Sequence, residues 1–454
     1  MKRIYFPFLI TLIFFAPACK KFLDKKNNQK QVVPTSVRDF QALIEETRAT
    51  NYAYSFSAEV GAGDYYLPDA TLKDLDESTR NMYVWNKDNL FSGTNIEWGN
   101  LYKLIYKCNI ILNDIDAIER LPGEEEEWKA VKGSAFFLRG NCYSQLVWLW
   151  SLAYDPATAE HDLGAALRLK PDFNEVSRRV SVQESYRQII SDLEQAAGLL
   201  PVTSAHVVIP SRPAAYALLS RIYLSMRNYD KALVYADSCL QMRDYLMDYN
   251  TDPNITPAVS YPFKRFNPEM LYLCGALTTS AFFKGIADTA LYNMYAEDDL
   301  RKKMFFNGNK GTLNRFKGNY EGNNIQAVLF TGPATDEMML VRAECLARKG
   351  DVALALNNLN TLLRKRYKTG RFTDYASLSD ADALQLILDE RRKELVFRGL
   401  RWMDIKRLNK EGANISLKRM VNGSIITLEP NSLRYALPIP DNVIQLSGMQ
   451  QNPR

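Results

Sequence analysis

Histidine is the scarcest chemically active residue type in this chain of 454 residues. Only His161 and His206 occur, so a metal site built from several histidines is excluded, and histidine acid–base chemistry has two candidates at most. GxGxxG, P-loop, HExxH and nucleophile-elbow patterns are also missing. We therefore expect no cofactor and no bound metal, although a cation held by Asp and backbone oxygens would leave no sequence signature.

A strong charge of one sign is missing as well. Lys and Arg number 57 against 52 Asp and Glu, which gives a net charge of +5 spread over the whole chain. Proteins that bind nucleic acid concentrate Lys and Arg into a patch or stripe. The sequence therefore predicts no nucleic-acid partner.

Cysteine pairing has no sequence support. The chain has 6 Cys and no CxxC motif. Beyond Cys19, an odd number of cysteines is scattered through apolar stretches, which argues against a disulfide framework. We expect these cysteines to be small buried hydrophobic residues: Cys108, Cys142, Cys239, Cys274 and Cys345.

Long apolar runs are absent after residue 18, so no membrane-spanning helix is predicted. The N-terminus has Lys2-Arg3, then a run of twelve largely apolar residues over 4–15, then small residues ending at Cys19. This order resembles a lipoprotein signal peptide over 1–18, with Cys19 as the lipidated residue. Alternatively, it is an ordinary secretory signal cut near Ala18. Residues 19–36, rich in Lys, Asn and Gln, are predicted to be a flexible tether.

The remainder, 37–454, is predicted to be a single globular domain with a mainly α fold. Apolar residues recur at three-to-four spacing in helical regions at about 98–150, 181–242 and 336–408. Their paired helices resemble tetratricopeptide repeats, which bury one face only by stacking on neighbours. Two segments at about 52–97 and 250–333 have weak periodicity and much Tyr, Asn, Gly, Asp and Pro. We expect long irregular loops and a few short strands there.

Several helix boundaries have recognisable signals. Ser181 and Glu184 form the pattern of a capping box before a helix. Pro213 suits the first turn of the next helix, and Asp351 is expected to cap the helix that follows Gly350.

Glu390 and Glu394 lie four residues apart on one predicted helix face, among Arg391, Arg392 and Arg398. Such clusters form ion-pair networks at helix ends. A catalytic carboxylate pair, as in glycoside hydrolysis, is the competing interpretation. Neighbouring guanidinium groups would keep both carboxylates ionised, which disfavours a general acid. Trp402 is predicted to be a core residue.

Several segments form a recognisable set of motifs. The most specific is ERRKELVFRGLRWMDIKR at 390–407. The others are CKKFLD at 19–24, Pro34-Thr35-Ser36, Arg342-Ala343-Glu344, Leu359-Asn360, Leu437-Pro438-Ile439-Pro440 and Gln451-Asn452-Pro453. Together they resemble the SusD/RagB family of outer-membrane nutrient-binding lipoproteins. Arg398 departs from the family pattern, which usually has an acidic residue before Gly399.

The resemblance implies a lipid-anchored protein at the cell surface, attached to the outer membrane through Cys19. Such a protein captures an oligosaccharide or other nutrient and delivers it to a TonB-dependent, SusC-like transporter, with no catalytic activity of its own. Tyr292, Tyr295, Asp298, Asp299 and Arg301 resemble a helical scaffold element of the family. The alternative from the residues alone is a helical-repeat surface lipoprotein that binds peptides or proteins as a scaffold.

A sugar binder needs exposed aromatic faces beside hydrogen-bonding side chains. The resemblance implies ligand contacts from the early loop region and from a loop beyond mid-chain. No Trp occurs between residues 151 and 401, so a tryptophan platform is absent from the later loop. The early loops have two tryptophans, each near an asparagine, and two adjacent tyrosines. The predicted ligand-binding residues are Asp64, Tyr65, Tyr66, Trp85, Asn95, Trp98, Phe283 and Tyr320.

Overall fold

The computed structural model describes residues 34–91, 96–257, 259–278, 282, 284–308, 313–322 and 328–454. The predicted signal peptide, almost all of the tether, the lipidation residue Cys19 and two predicted ligand-binding residues, Asn95 and Phe283, lie outside these ranges. Ser36–Arg454 form one compact unit.

Helices dominate this unit, which confirms the prediction of a mainly α fold. They are numbered here in chain order over the described residues. Their bounds are α1 Val37–Ile44, α2 Thr47–Asn51, α3 Ser57–Ala62, α4 Asp69–Lys73, α5 Glu77–Tyr83, α6 Ile96–Asp114, α7 Glu125–Trp150, α8 Val182–Leu199, α9 Arg212–Ser225, α10 Tyr229–Met242, α11 Thr289–Asn293, α12 Leu300–Phe305, α13 Thr335–Arg348, α14 Val352–Leu363, α15 Asp380–Glu394, α16 Arg401–Asn409 and α17 Asp441–Ser447.

The strands are short and pair two by two, always antiparallel. β1 pairs with β5, β2 with β3, β4 with β8, β6 with β7 and β9 with β10. Their bounds are β1 Tyr65–Tyr66, β2 Leu163–Ala166, β3 Arg179–Ser181, β4 Gly275–Leu277, β5 Ile286–Ala287, β6 Phe306–Asn307, β7 Arg315–Phe316, β8 Val328–Phe330, β9 Leu417–Val421 and β10 Ser424–Leu428.

The long helices pack against one another and build the scaffold. α6 packs on α7, α7 on α8, α9 on α10, α10 on α13, and α13 on both α14 and α15. Glycines allow α7 and α8 to approach closely, since a Cβ on Gly140 would lie 3.0 Å from the Leu193 side chain. These stacked pairs are the tetratricopeptide-like hairpins that the periodicity predicted.

One helix signal was correct, one was correct in part and one was wrong. Pro213 lies in the first turn of α9. The Ser181 hydroxyl accepts a hydrogen bond from the Glu184 amide at 3.0 Å, so Ser181 caps α8, but the return bond from the Glu184 side chain is not found among the described contacts. Asp351 does precede α14, but its side chain makes no capping hydrogen bond. Its backbone, with ψ of 54°, is outside the extended region from which a capping side chain normally reaches the first amides.

Glu390 and Glu394 belong to a buried ion-pair network, as predicted, but with different partners. Arg301, fully buried on α12, lies 2.7 Å from Glu390 and 2.9 Å from Glu394. Arg366 lies 2.6 Å from the other Glu394 oxygen. The three arginines adjacent in sequence pair elsewhere: Arg391 with Asp404, Arg392 with Asp64 and Arg398 with Asp336. The network therefore joins α15 to the mid-chain segment.

The predicted scaffold residue Asp299 completes this network. Its carboxylate lies 2.7 Å from Arg301. Burial raises the pKa of the Asp299 carboxyl, but Arg301 and Lys393 outweigh that effect and hold the pKa below its usual value. Both Glu390 and Glu394 are buried, so neither carboxylate reaches a surface where a substrate would lie.

A buried lysine, Lys406, joins α16 to the end of α7. Its ammonium group donates to the carbonyl oxygens of Trp148 and Ser151, each at 2.7 Å. No salt bridge to Lys406 is found in the described part of the chain. Burial lowers the pKa of Lys406 to about 7, because desolvation disfavours the charged form.

This lysine makes stability depend on pH in a predictable direction. The folded-state pKa lies below the unfolded value of about 10, so the unfolded chain binds more protons between pH 7 and that value. Relative to a Lys406→Met variant, the free energy of unfolding is expected to rise by about 1 kcal/mol per pH unit in this window. Urea unfolding of both proteins at pH 7, 8 and 9 measures the difference, and parallel pH profiles would contradict it.

The five cysteines beyond Cys19 are buried, as predicted. Cys108, Cys142, Cys239, Cys274 and Cys345 are free and buried. Over the ranges described above, no helix is long and apolar enough to cross a membrane.

Candidate functional site

The early loops and the mid-chain loops meet in one surface through a short sheet. β1 pairs with β5, with Tyr65 opposite Ala287 and Tyr66 opposite Ile286. The Asp288 amide donates to the Asp64 carbonyl at 2.9 Å, and the Ala287 amide donates to the Asn314 carbonyl at 2.7 Å. We call the area around β1, β5 and β7 the loop surface. It joins segments more than 200 residues apart in the sequence.

Adjacent tyrosines in β1 face opposite ways, as period-two strand geometry requires. Tyr66 is 38% exposed, whereas Tyr65 is 2% exposed. The Tyr65 ring packs at 5.8 Å from Tyr83 and 5.9 Å from Phe282, measured between centroids. The expectation of an exposed face is wrong for Tyr65, whose ring is part of an aromatic core beneath Tyr66.

Asp64 is held by arginine and is not open to solvent. The Arg392 guanidinium donates two hydrogen bonds to one Asp64 oxygen, at 3.0 and 2.7 Å. The Asp64 side chain is buried, so its predicted place among exposed ligand-binding groups is wrong. This ion pair connects α15 to the residue directly before β1.

A second buried carboxylate, Glu59, lies beside Asp64. Burial, followed by the nearby Asp64 charge, raises the pKa of Glu59 to about 8, although the Gly399 amide opposes this by donating to Glu59 at 2.7 Å. A raised pKa is a feature of general acids. Both carboxylates are nevertheless buried, so this pair gives no accessible catalytic site.

Trp85 lies in a second, smaller core and not on the surface. Its ring is 3% exposed, and its indole N–H donates to the Gly61 carbonyl at 3.0 Å. It clusters with Trp402, Ile405 and Tyr435. Trp85 also has a positive φ of 54°, a conformation that non-glycine residues adopt only when their surroundings impose it. The expectation that Trp85 presents an exposed face for stacking is wrong.

Trp98 is 7% exposed and packs at 5.1 Å from Trp150 between ring centroids, so the expectation of an exposed stacking face is wrong for Trp98 too. Trp98 nevertheless borders a pocket. The pocket has a volume of about 640 Å³ and is here called the Trp98 pocket. Its walls come from α6, from the segment between β2 and β3, and from α17 and the residues after it. The lining side chains used below are Trp98, Tyr102, Lys103, Tyr106, Lys107, Asn109, Arg168, Lys170, Asp172, Phe173, Ser177 and Ser447. None of the other predicted ligand-binding residues that the structure describes lines it.

Hydrogen bonds fix the wall opposite α6. The Tyr102 hydroxyl donates to the Ala166 carbonyl at 2.9 Å, and Asn109 donates to the Arg168 carbonyl at 2.7 Å. Burial raises the pKa of Tyr102 well above its usual value, because the hydroxyl is enclosed by this wall. The pocket is therefore formed before any ligand binds.

Sequence reasoning missed most residues of this pocket. Trp98, Tyr102 and Tyr106 recur every four residues, a helical stripe that was visible in the sequence. Phe173, which is 79% exposed, lies in a polar segment without periodicity. Its position over Tyr106, with ring centroids 4.5 Å apart, depends on tertiary structure.

Two family models match successive parts of the chain. A model described as "Starch-binding associating with outer membrane" matches residues 21–224, and the SusD family model matches residues 241–454. The chain belongs to the SusD/RagB family. A SusD-like protein of Formosa agariphila is 22% identical over 382 residues, which cover 69% of this chain and 72% of that protein.

Solved structures of the SusD superfamily share the fold. A protein of Bacteroides thetaiotaomicron superposes with a TM-score of 0.73 at 22% identity, covering 92% of this chain and 100% of that chain. A SusD-like carbohydrate binding protein of Bacteroides vulgatus gives a TM-score of 0.68 at 22% identity, covering 91% and 97% of the two chains. At these identities the likeness shows the architecture.

The departure of Arg398 from the SusD/RagB pattern has a structural explanation. Its guanidinium lies between two rings, 4.4 Å from the Tyr320 centroid and 4.6 Å from the Phe330 centroid. It also pairs with Asp336 at 3.1 Å. Tyr320 is buried and donates its hydroxyl to Glu269. The expectation of an exposed ring is therefore wrong for Tyr320, which holds Arg398.

In the portion of the chain that the structure describes, no cluster of three or more His, Cys, Asp or Glu residues could hold a metal ion.

Proposed function

We propose that this SusD/RagB protein is a cell-surface lipoprotein that captures an oligosaccharide and delivers it to a TonB-dependent, SusC-like transporter. The match of residues 21–224 to the family model described as starch-binding and outer-membrane-associated is the observation that carries this proposal. The carbohydrate-binding description of the Bacteroides vulgatus protein with the same fold supports it.

The loop surface is the proposed capture site. Tyr66 offers an exposed ring face for the apolar C–H face of a sugar. Two exposed hydrogen-bonding groups lie on neighbouring segments: Lys284 just before β5, and Arg315 next to Asn314, whose carbonyl accepts from Ala287 of β5 at 2.7 Å. Asn422, in the β9–β10 turn, lies beside the start of α4, because its backbone amide donates to Asp69 at 2.9 Å. A ring flanked by such groups is the arrangement that sugars require.

Replacing Tyr66 with alanine is expected to weaken oligosaccharide binding about tenfold, because stacking on an exposed ring contributes about 0.5–1.5 kcal/mol beyond area burial. Isothermal titration of the purified protein against a panel of neutral and acidic oligosaccharides measures this. Leu354→Ala, at an exposed apolar position on α14, is the matched control and should bind like the unchanged protein.

The same titration distinguishes glycan capture from the alternative functions. Binding of a peptide panel with no glycan binding would favour the helical-repeat scaffold and contradict glycan capture. Hydrolysis products during titration would contradict a purely binding function, and their loss in Glu390→Gln would place catalysis at α15. Glycan binding that is unaffected by Tyr66→Ala would move the capture site away from the loop surface.

Cys19 is the proposed attachment point to the outer membrane. One acyl chain gives only marginal membrane binding, so stable anchoring requires the multiple chains of a lipidated N-terminal cysteine. Incorporation of a labelled fatty acid into the full chain, and its loss in Cys19→Ser, would support this. Equal labelling of both proteins would contradict it.

Delivery requires a physical complex with the transporter. The full chain, extracted from outer membranes in mild detergent, is expected to copurify with a TonB-dependent transporter. Recovery of the protein without any such transporter, while it still binds glycan, would contradict delivery and leave capture standing.

A further inference from the structure

The Trp98 pocket has an aromatic wall that runs along α6. Trp98, Tyr102 and Tyr106 follow one another every four residues, so the stripe is about 12 Å long. The rings of Trp98 and Tyr102 lie 4.9 Å apart, and Phe173 extends the wall by packing on Tyr106 with ring centroids 4.5 Å apart. A volume of about 640 Å³ is in the range of small-molecule sites.

Most polar side chains in this pocket already have partners. Asn109 donates to Arg168 and accepts from Arg139, and Ser447 donates to Val443 at 2.6 Å. The Tyr102 hydroxyl is used by Ala166. A neutral sugar needs several free hydroxyl or amide partners beside each ring face. This pocket does not supply them, unlike the loop surface.

Two further cations are neutralised by acids at the pocket edge. Lys107 lies 3.1 Å from Glu46, and Arg168 lies 3.4 Å from Glu175. The Arg168 guanidinium also donates to the Glu175 carbonyl and to the Ser177 hydroxyl, both at 2.9 Å, and to the Asp172 carbonyl. Arg168 therefore shapes the segment that carries Phe173, and is not itself free to bind a ligand.

The groups that remain available are two lysines and one hydroxyl. Over the described ranges, Lys103, Lys170 and the Tyr106 hydroxyl have no hydrogen-bond or ion-pair partner. Asp172 is the one acid among the described lining residues, and its carboxylate is occupied by the Asn174 amide at 2.8 Å. Aromatic faces with two unpaired ammonium groups complement a flat apolar body that carries a negative charge.

We propose that the Trp98 pocket is a second ligand site, separate from the glycan surface, which takes a small aromatic carboxylate. The ligand ring stacks on the exposed face of Phe173, whose other face packs on Tyr106. Its carboxylate faces Lys103 and Lys170 and accepts a hydrogen bond from the Tyr106 hydroxyl. Charge selects the anion, and the ring faces select an aromatic over an aliphatic acid.

Cinnamate is a suitable probe, and its neutral amide, cinnamamide, has nearly the same shape. Titration of the purified protein, followed by ligand-observed NMR or calorimetry, is expected to show saturable cinnamate binding. Cinnamamide is expected to bind about fivefold more weakly, as is hexanoate, an aliphatic anion. Equal binding of cinnamate and cinnamamide, or no saturable cinnamate binding, would overturn the proposal.

Variants of the pocket residues test whether cinnamate binds in the Trp98 pocket. Lys103→Ala combined with Lys170→Ala is expected to weaken cinnamate binding about fivefold while cinnamamide binding stays unchanged, and Phe173→Ala should weaken both. Lys73→Ala and Leu354→Ala, which lie outside the pocket, should change neither. Unchanged cinnamate binding in both pocket variants would overturn the proposal. That result would not bear on the glycan titration, which tests the loop surface.

Discussion

Replacing Trp85 with alanine is expected to lower the free energy of unfolding by about 3–5 kcal/mol, the usual cost of truncating a buried tryptophan. The ring is buried against Trp402, and its N–H is bonded to Gly61. The Arg419 guanidinium lies 5.2 Å from the Trp85 ring centroid and 4.2 Å from that of Tyr83. Truncation would therefore leave a cavity and remove one of the rings around a buried arginine. Urea unfolding measures the loss.

Tyr66→Ala is the matched control for this experiment. The exposed Tyr66 should change stability by less than about 0.5 kcal/mol while glycan affinity falls. Trp85→Ala should do the opposite, provided that titration is carried out where the variant is still folded. Loss of glycan affinity in Trp85→Ala without loss of stability would show that Trp85 contacts the ligand, and would contradict its assignment to the core.

Arg301→Met is expected to cost about 3–5 kcal/mol, because removing one partner of a buried ion pair leaves its counter-charge uncompensated. Arg301 is fully buried, and its single guanidinium contacts Asp299, Glu390 and Glu394 within 2.9 Å. Methionine fills much of the same volume, so the lost free energy of unfolding comes mainly from the unpaired charges and not from poorer packing. Urea or thermal unfolding at pH 7 measures it.

The pH dependence of this variant separates a charge effect from a packing effect. Without Arg301, the buried Asp299 carboxyl loses the main charge that holds its pKa down. Its pKa then rises in the folded state, so the folded variant binds more protons than the unfolded chain as the pH falls. Its deficit relative to the unchanged protein should therefore shrink as the pH falls from 7 to 5. Arg364→Met, which breaks an exposed pair with Asp374, should have a far smaller effect at either pH. A pH-independent deficit would contradict the electrostatic explanation.

The helical scaffold could be predicted from the sequence because its signals are local. Three-to-four spacing defined the long helices, and Ser181 and Pro213 marked two of their starts. The Glu390–Glu394 cluster also indicated an ion-pair network. Its true partners, Arg301 and Arg366, lie 89 and 28 residues from the carboxylates they contact, and no local pattern encodes such a pairing.

The loop residues were harder to predict because burial there is decided by distant segments. Tyr65 and Tyr66 are adjacent, yet which one is exposed depends on the pairing of β1 with β5, more than 200 residues away. Trp85 is buried because it packs with Trp402, Ile405 and Tyr435, which lie more than 300 residues further along the chain. The asparagines near Trp85, Asn81 and Asn86, bond to each other at 3.0 Å on the surface while the Trp85 ring is buried.

Hydrogen–deuterium exchange with and without a saturating oligosaccharide tests most directly whether ligand is captured at the loop surface. Glycan capture predicts reduced exchange in peptides covering residues 64–69, 284–288 and 313–316, with unchanged exchange in α6 near Trp98. Protection confined to the helical hairpins or to the Trp98 pocket, with none at the loop surface, would contradict the account.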